Sequence, residues 1–192
     1  MKLAINGLGR IGRLALRQLA RRDDVQVVAV NDIADIRILA HLVKYDSMHG
    51  KADFPVSHDG DSITLGSQRI PVFKEREPGA APFGKLGAEA VLECTGAFPD
   101  RPDLARFLQG SVRHVLVSCP VKDADLTVVM GVNQGTFDPR RHQIISNADS
   151  TATCAAPMIK VLDEAFGIEY GLITAVHAYT NDQRILDLPH KD

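Results

Sequence analysis

Three glycines spaced Gly7-x-Gly9-x-x-Gly12, with an acid, Asp32, about 20 residues past the last of them, have the types and spacing that bind a dinucleotide. In such a site the first glycine makes a tight turn. The second lets backbone approach a pyrophosphate, and the third lets helix pack on strand. A helix opening at this point offers unpaired N–H groups and a partial positive charge to the phosphates. The Asp32 carboxylate would accept hydrogen bonds from the adenine ribose hydroxyls and repel a 2′-phosphate, which favours NAD over NADP. The alternative is a glycine-rich turn with an acid at a strand end.

The context supplies the elements that this chemistry requires. An apolar run from Leu3 to Ile5 reads as a buried strand, and Leu14 to Leu19 as an amphipathic helix after the glycines. A second apolar run, Val25 to Val30, ends at Asn31-Asp32 and delivers the acid. A helix is expected over Ile36–Val43. From Phe54 to Phe73, short alternating runs split by Asp59-Gly60-Asp61 and Gly66-Ser67 predict small antiparallel strands inserted in the parallel pattern. Strands are then expected at Ala90–Cys94, His114–Ser118, Leu126–Met130 and Gln143–Ile145, with a helix over Pro99–Gln109. Asp149 or Ser150 is placed to cap a helix reaching Phe166, and a final strand over Leu172–Val176 would deliver His177. The alternation predicts an α/β fold: a Rossmann-type doubly wound parallel sheet over residues 1–148, with a small antiparallel insertion. Residues 149–192 read as the beginning of a second, incomplete domain.

Composition narrows the function class. A chain of 192 residues that is 45% hydrophobic can bury one full core, and a net charge of −2 gives no argument for nucleic acid or an anionic membrane as partner. No apolar run is long enough to span a bilayer. The glycine turn begins at Gly7, so no secretory leader is expected ahead of it. Cys94, Cys119 and Cys154 are odd in number and lack CxxC spacing, which predicts a reducing, cytoplasmic setting and no metal site. Cys94 and Cys119, each at a strand end, read as small packing residues.

Seven motifs, among them the glycine turn and the acid already described, carry a resemblance. Asn6-Gly7-x-Gly9-Arg10-Ile11-Gly12-Arg13, Asn31-Asp32, Lys44-Tyr45-Asp46-Ser47, Cys94-Thr95-Gly96, Ser146-Asn147-Ala148 and His177-Ala178-Tyr179-Thr180 stand in order, and Asp187-Leu188-Pro189-His190-Lys191-Asp192 follows. In order and spacing this set resembles phosphorylating glyceraldehyde-3-phosphate dehydrogenase along the whole chain. The resemblance implies an N-terminal NAD-binding domain, a C-terminal catalytic domain, a homotetramer, and oxidation of a phosphorylated aldehyde in glycolysis. It places Asn6, Gly7, Arg10, Ile11, Asp32, Arg76, Thr95 and Ser118 around the cofactor, beside the motif residues Gly9, Gly12, Asn31 and Gly96. Ile33 and Pro189 look like the NAD-preferring form. Thr151 and Thr180 match phosphate-contact positions, although either could equally be an N-cap or turn hydroxyl.

The chain also departs from the family pattern. Where the family reads Ser-Cys-Thr-Thr-Asn-Cys, this chain reads Asp149-Ser150-Thr151-Ala152-Thr153-Cys154. Ser150 holds the position of the nucleophilic cysteine, and His177 matches the histidine that pairs with it. Serine starts from a far higher pKa, and one histidine does not make it an equivalent nucleophile without an orienting third group. Asp149 stands where the family uses a serine near the inorganic phosphate. At about 4 Å and an effective dielectric near 20, its repulsion of phosphate is on the order of 4 kcal/mol per unit charge. Cys154 matches the family's second cysteine, which is not the nucleophile, and is expected to be a buried structural thiol. His177 has a second reading, as a histidine at a strand end that is hydrogen-bonded locally. The family chain continues well past His190-Lys191-Asp192, so most of the catalytic domain is expected to be missing here. Three functions follow: a dehydrogenase of this type, inactive as this chain alone; an NAD-binding pseudoenzyme acting in assembly or regulation; or an esterase-like use of Ser150 with His177.

Overall fold

The computed structural model describes residues 1–178. Its centre is a nine-stranded sheet. Strand β1 (Lys2–Asn6) runs into the glycine turn and helix α1 (Arg10–Leu19), and the chain returns through β2 (Gln26–Asn31). Helix α2 (Ile36–Lys44) follows, capped by the Asp35 carboxylate, which accepts from the Arg37 N–H. A two-stranded ribbon, β3 (Tyr45–Asp46) with β4 (Gly50–Lys51), then precedes the antiparallel run β5 (Val56–His58), β6 (Ser62–Leu65) and β7 (Gln68–Phe73). The second half holds β8 (Ala90–Glu93), the short helix α3 (Arg101–Ala105), β9 (His114–Val117), β10 (Leu126–Thr127), β11 (Ile144–Ser146) and α4 (Ser150–Phe166).

The strand order is β10-β11-β9-β8-β1-β2-β7-β6-β5. From β10 to β7 every neighbouring pair is parallel. Set aside the edge strands and the order β7-β2-β1-β8-β9-β11 is the doubly wound 3-2-1-4-5-6 arrangement, with its switch point between β1 and β8. The antiparallel run is therefore less separate than its turns suggest. Its last strand, β7, pairs in parallel with β2 and is the third strand of the main sheet.

Side chains from adjacent β1 residues enter opposite cores, as a strand's period of two demands. Ala4 joins a cluster with Phe83, Val91, Leu104, Phe107 and Val115, while Ile5 joins one with Leu16, Leu39, Val43, Ile63 and Ile70. Both faces are thus covered, which is why the parallel strands read as near-continuous apolar runs.

Three expectations are corrected. The strand expected over Leu126–Met130 stops at Thr127, where Val128 donates its N–H to the Ser146 carbonyl and the chain turns. The helix expected over Pro99–Gln109 is regular only over Arg101–Ala105 and continues as turns. The strand expected over Leu172–Val176 is absent: these residues are irregular and exposed, with Leu172 and Val176 more than nine-tenths so. A β-strand needs a paired edge for its backbone groups, and no described strand lies alongside this segment.

Candidate functional site

The carboxyl ends of β1, β2 and β8 open onto a cleft of about 470 Å³ lined by Asn6, Gly7, Gly9, Asn31, Asp32, Ile33, Glu75, Arg76, Cys94, Thr95, Ala97 and Phe98. This is the crevice in which open α/β sheets bind ligands. It gathers the expected residues Asn6, Gly7, Gly9, Asn31, Asp32, Arg76 and Thr95 from positions up to 89 residues apart. Arg10, Ile11 and Gly96 are exposed beside it, Gly12 is buried behind the turn, and Ser118 sits at the end of β9, its N–H given to the Glu93 carbonyl.

The three glycines have three distinct jobs. Gly7 has φ +92°, a left-handed conformation that side chains resist, and its N–H donates to the Asn31 carbonyl at 2.7 Å. A Cβ on Gly12 would lie 1.9 Å from the Gly7 carbonyl oxygen, so helix and turn touch backbone to backbone. A Cβ on Gly9 would meet nothing within 4 Å. That open space is where a pyrophosphate would approach. Gly9 is also the N-cap of α1 and offers no side chain to it, and no acid occupies the first turn. The positive end of α1 is left for an anion from outside.

Asp32 is held in place by the fold. Its Oδ2 accepts the Leu8 N–H at 2.7 Å and its Oδ1 the Ala34 N–H at 2.9 Å. Each oxygen retains a lone pair for a hydroxyl. The arrangement couples the acid to the glycine turn through Leu8.

Beneath the cleft runs a polar chain that sequence reasoning missed. The Glu75 N–H donates to Asn31 Oδ1 at 2.7 Å, and Asn31 Nδ2 donates to Asn6 Oδ1 at 2.7 Å and to the Glu75 carbonyl at 2.9 Å. Asn6 Nδ2 donates to Glu93 Oε2. The other Glu93 oxygen, Oε1, accepts the Thr95 N–H at 2.7 Å and the Thr95 hydroxyl. Asn6, Asn31 and Glu93 are all buried, Glu93 completely. Burial pushes the Glu93 carboxyl up, against the hydrogen bonds from Thr95 and Asn6. Burial, together with the charge of Glu93, also pushes the Cys94 thiol up to about 11, which keeps it protonated. Asn6, Asn31 and Thr95 were expected at the site but not as one relay, and the only sequence signal for Glu93 was an acid closing the apolar run Ala90-Val91-Leu92.

The second group of expected residues lies on α4. Asp149 is the N-cap and its Oδ1 accepts the Ala152 N–H at 2.8 Å, so the positive end of this helix is occupied by its own carboxylate. Ser150 and Thr151 are the first two helical residues, both exposed. The approach to them passes through Ala148, which holds φ +57° and is the only non-glycine at positive φ among the described residues. The Ala148 N–H donates to Ser146 Oγ at 3.2 Å. Cys154, expected to be buried, is exposed, because no residue of α4 is fully buried. The structure does not join His177 to Ser150 by a hydrogen bond; the His177 Nδ1 lies 2.9 Å from the neighbouring Ala178 carbonyl oxygen. Thr180 and Pro189 lie outside the described residues. Among the described residues no helix is long and apolar enough to cross a membrane.

Comparison with known proteins points to one family. The family model described as glyceraldehyde 3-phosphate dehydrogenase, NAD binding domain, matches residues 1–101. A second, described as glyceraldehyde 3-phosphate dehydrogenase, C-terminal domain, matches residues 150–192. Similar proteins include the glyceraldehyde-3-phosphate dehydrogenases of Geobacillus stearothermophilus (50% identical over 192 residues) and Streptomyces coelicolor (51% over 193 residues). Glyceraldehyde-3-phosphate dehydrogenase 1 of Bacillus subtilis is 49% identical over 192 residues. All of this chain is covered in each case, and it spans 57% of the length of each of these relatives.

Proposed function

The chain belongs to the glyceraldehyde-3-phosphate dehydrogenase family, and from that premise we propose that it binds NAD in the β1/β8 cleft and does not by itself carry out the phosphorylating oxidation. One observation carries the first half: seven residues expected around a dinucleotide line a single cleft at the switch point. The residues present fit the group. The open face of Gly9 and the uncapped start of α1 suit a pyrophosphate, and Asp32, fixed by two backbone amides, suits the ribose hydroxyls. NAD, when bound, supplies the hydride acceptor of the family's oxidoreductase chemistry.

The second half rests on α4. The family reaction uses a thiolate to attack a phosphorylated aldehyde, and Ser150 stands at that position by resemblance. Asp149 adds an anion beside it and fills the helix end that would lower a nucleophile's pKa. Nothing in the described structure orients His177 against Ser150, which also counts against an esterase-like pairing. On this reading residues 1–148 are the NAD-binding domain and residues 149–192 the start of the catalytic domain. In a longer protein the same chain would work as a homo-oligomer in the cytoplasm. The test is NADH formation from glyceraldehyde 3-phosphate, phosphate and NAD by the purified chain. No aldehyde-dependent NADH is expected. Sustained production would show that Ser150 or another group replaces the thiol. In a protein extended to the length of the relatives, Asp149→Ser with Ser150→Cys is expected to raise turnover. A repaired protein that binds NAD without turnover would favour the pseudoenzyme reading instead.

A further inference from the structure

We propose that Glu93 is a positioning residue for the dinucleotide: its buried carboxylate is the terminal acceptor of a hydrogen-bond relay that holds the two walls of the cleft in register. The inference rests on reading the cleft as a dinucleotide site. The relay runs from the chain at Glu75, beside Arg76, through Asn31 and Asn6 to Glu93 and Thr95. It therefore ties the ends of β2, β1 and β8 to the loop after β7.

Its direction follows from the backbone at both ends. A peptide N–H can only donate. The Glu75 N–H fixes which end of the Asn31 amide is oxygen, so Asn31 Nδ2 must point at Asn6. Asn6 must then present oxygen to Asn31 and nitrogen to Glu93. At the far end the Thr95 N–H also donates to Glu93. Glu93 thus faces donors on both of its oxygens, and an ionised carboxylate is the side chain of this shape that accepts from all of them. Turning either asparagine over would oppose two donors between side chains that are both buried.

A packing role and a positioning role make different predictions for an isosteric change. Glu93→Gln keeps the volume but turns an N–H₂ group toward the Asn6 N–H₂. Asn6→Asp keeps the volume but sets two carboxylates against each other. Together, Asn6→Asp with Glu93→Gln restores the pattern: the new amide donates to the new carboxylate, which still accepts from Asn31. The experiment measures NAD affinity by calorimetry and melting by circular dichroism for the wild type, both single variants and the pair, in the full chain. Each single variant is expected to weaken NAD binding about tenfold or more, and the pair, compared with Asn6→Asp alone so that the direct effect of a carboxylate at residue 6 on the cleft cancels, to bind NAD more tightly and to melt higher. A single variant that fails to fold is still decided by the pair, which must regain both the fold and the cofactor. Singles that bind NAD as the wild type does, or a pair no better than Asn6→Asp alone, would overturn the role of Glu93. A wild type that binds no NAD would overturn the reading of the cleft itself.

Discussion

Gly9 and Gly12 lie three residues apart, yet the structure assigns them opposite liabilities. A methyl group at residue 12 would meet the Gly7 carbonyl oxygen at 1.9 Å, a backbone atom that cannot move without displacing the turn. Gly12→Ala is expected to cost stability by about 1–3 kcal/mol, visible as a lower melting temperature with or without ligand. A methyl group at residue 9 meets nothing in the protein. Gly9→Ala is expected to melt near the wild type and to lose NAD affinity, because the space it fills is the approach of the pyrophosphate. Equal melting and equal affinity in Gly9→Ala would mean that no phosphate comes near this residue. A different residue reports on acid. The backbone amides of His49 and Met48, with the His49 ring, hold the Asp46 carboxyl at about 2, below its ordinary 3.8. A carboxyl depressed on folding stabilises the fold above its unfolded pKa and loses that contribution as pH falls through the folded value. The gap in melting temperature between wild type and Asp46→Asn is therefore expected to be present above about pH 3.8 and to close as pH falls from there to about 2. A gap unchanged over that interval would show that Asp46 does not titrate as its contacts require.

Among the elements, α1 and α4 make the informative contrast. Helix α1 starts on a bare glycine with no acid in its first turn, whereas α4 starts on a carboxylate that satisfies its own N–H. The first is open to an anion and the second is closed to one. Helix α4 buries no residue completely and has Pro157 inside it, so local terms weigh heavily in its stability. Asp149→Ala is expected to cost about 1 kcal/mol of helix stability, read as faster amide exchange over the first turn of α4. Exchange that is unchanged there would mean that neighbouring contacts, such as Lys160 Nζ on the Gly131 carbonyl, hold the helix instead. The elements were legible in the sequence where their own periodicity sufficed. The apolar runs of β1, β2, β8, β9 and β11 and the cap of α4 are read locally. The pairing of β7 with β2 was not, because a short alternating strand carries no mark of which neighbour it will join. The expected strand over Leu172–Val176 failed for the same reason in reverse: its pattern suits a sheet, but no described strand pairs with it.

At the scale of the molecule, the sheet order makes the site. The glycine turn, Asp32, Arg76 and Thr95 come from separate βα units and meet only because β1 lies between β2 and β8. Motif spacing revealed the glycines and the acid, since each acts through its own turn or strand end. The Glu75–Asn31–Asn6–Glu93–Thr95 chain was hidden, because hydrogen bonds spanning up to 87 residues leave no spacing to read. The same distinction holds for Ser150 and His177, which the sequence set in one site by resemblance and which the described structure leaves unjoined. The chain spans 57% of its relatives' length. The most direct measurement is a calorimetric titration of the purified chain with NAD and NADP, with Asp32→Ala alongside. The account predicts saturable binding of NAD, binding of NADP at least about tenfold weaker, and loss of affinity for NAD in the variant. No binding of NAD, or equal binding of both cofactors that is unchanged by Asp32→Ala, would contradict it.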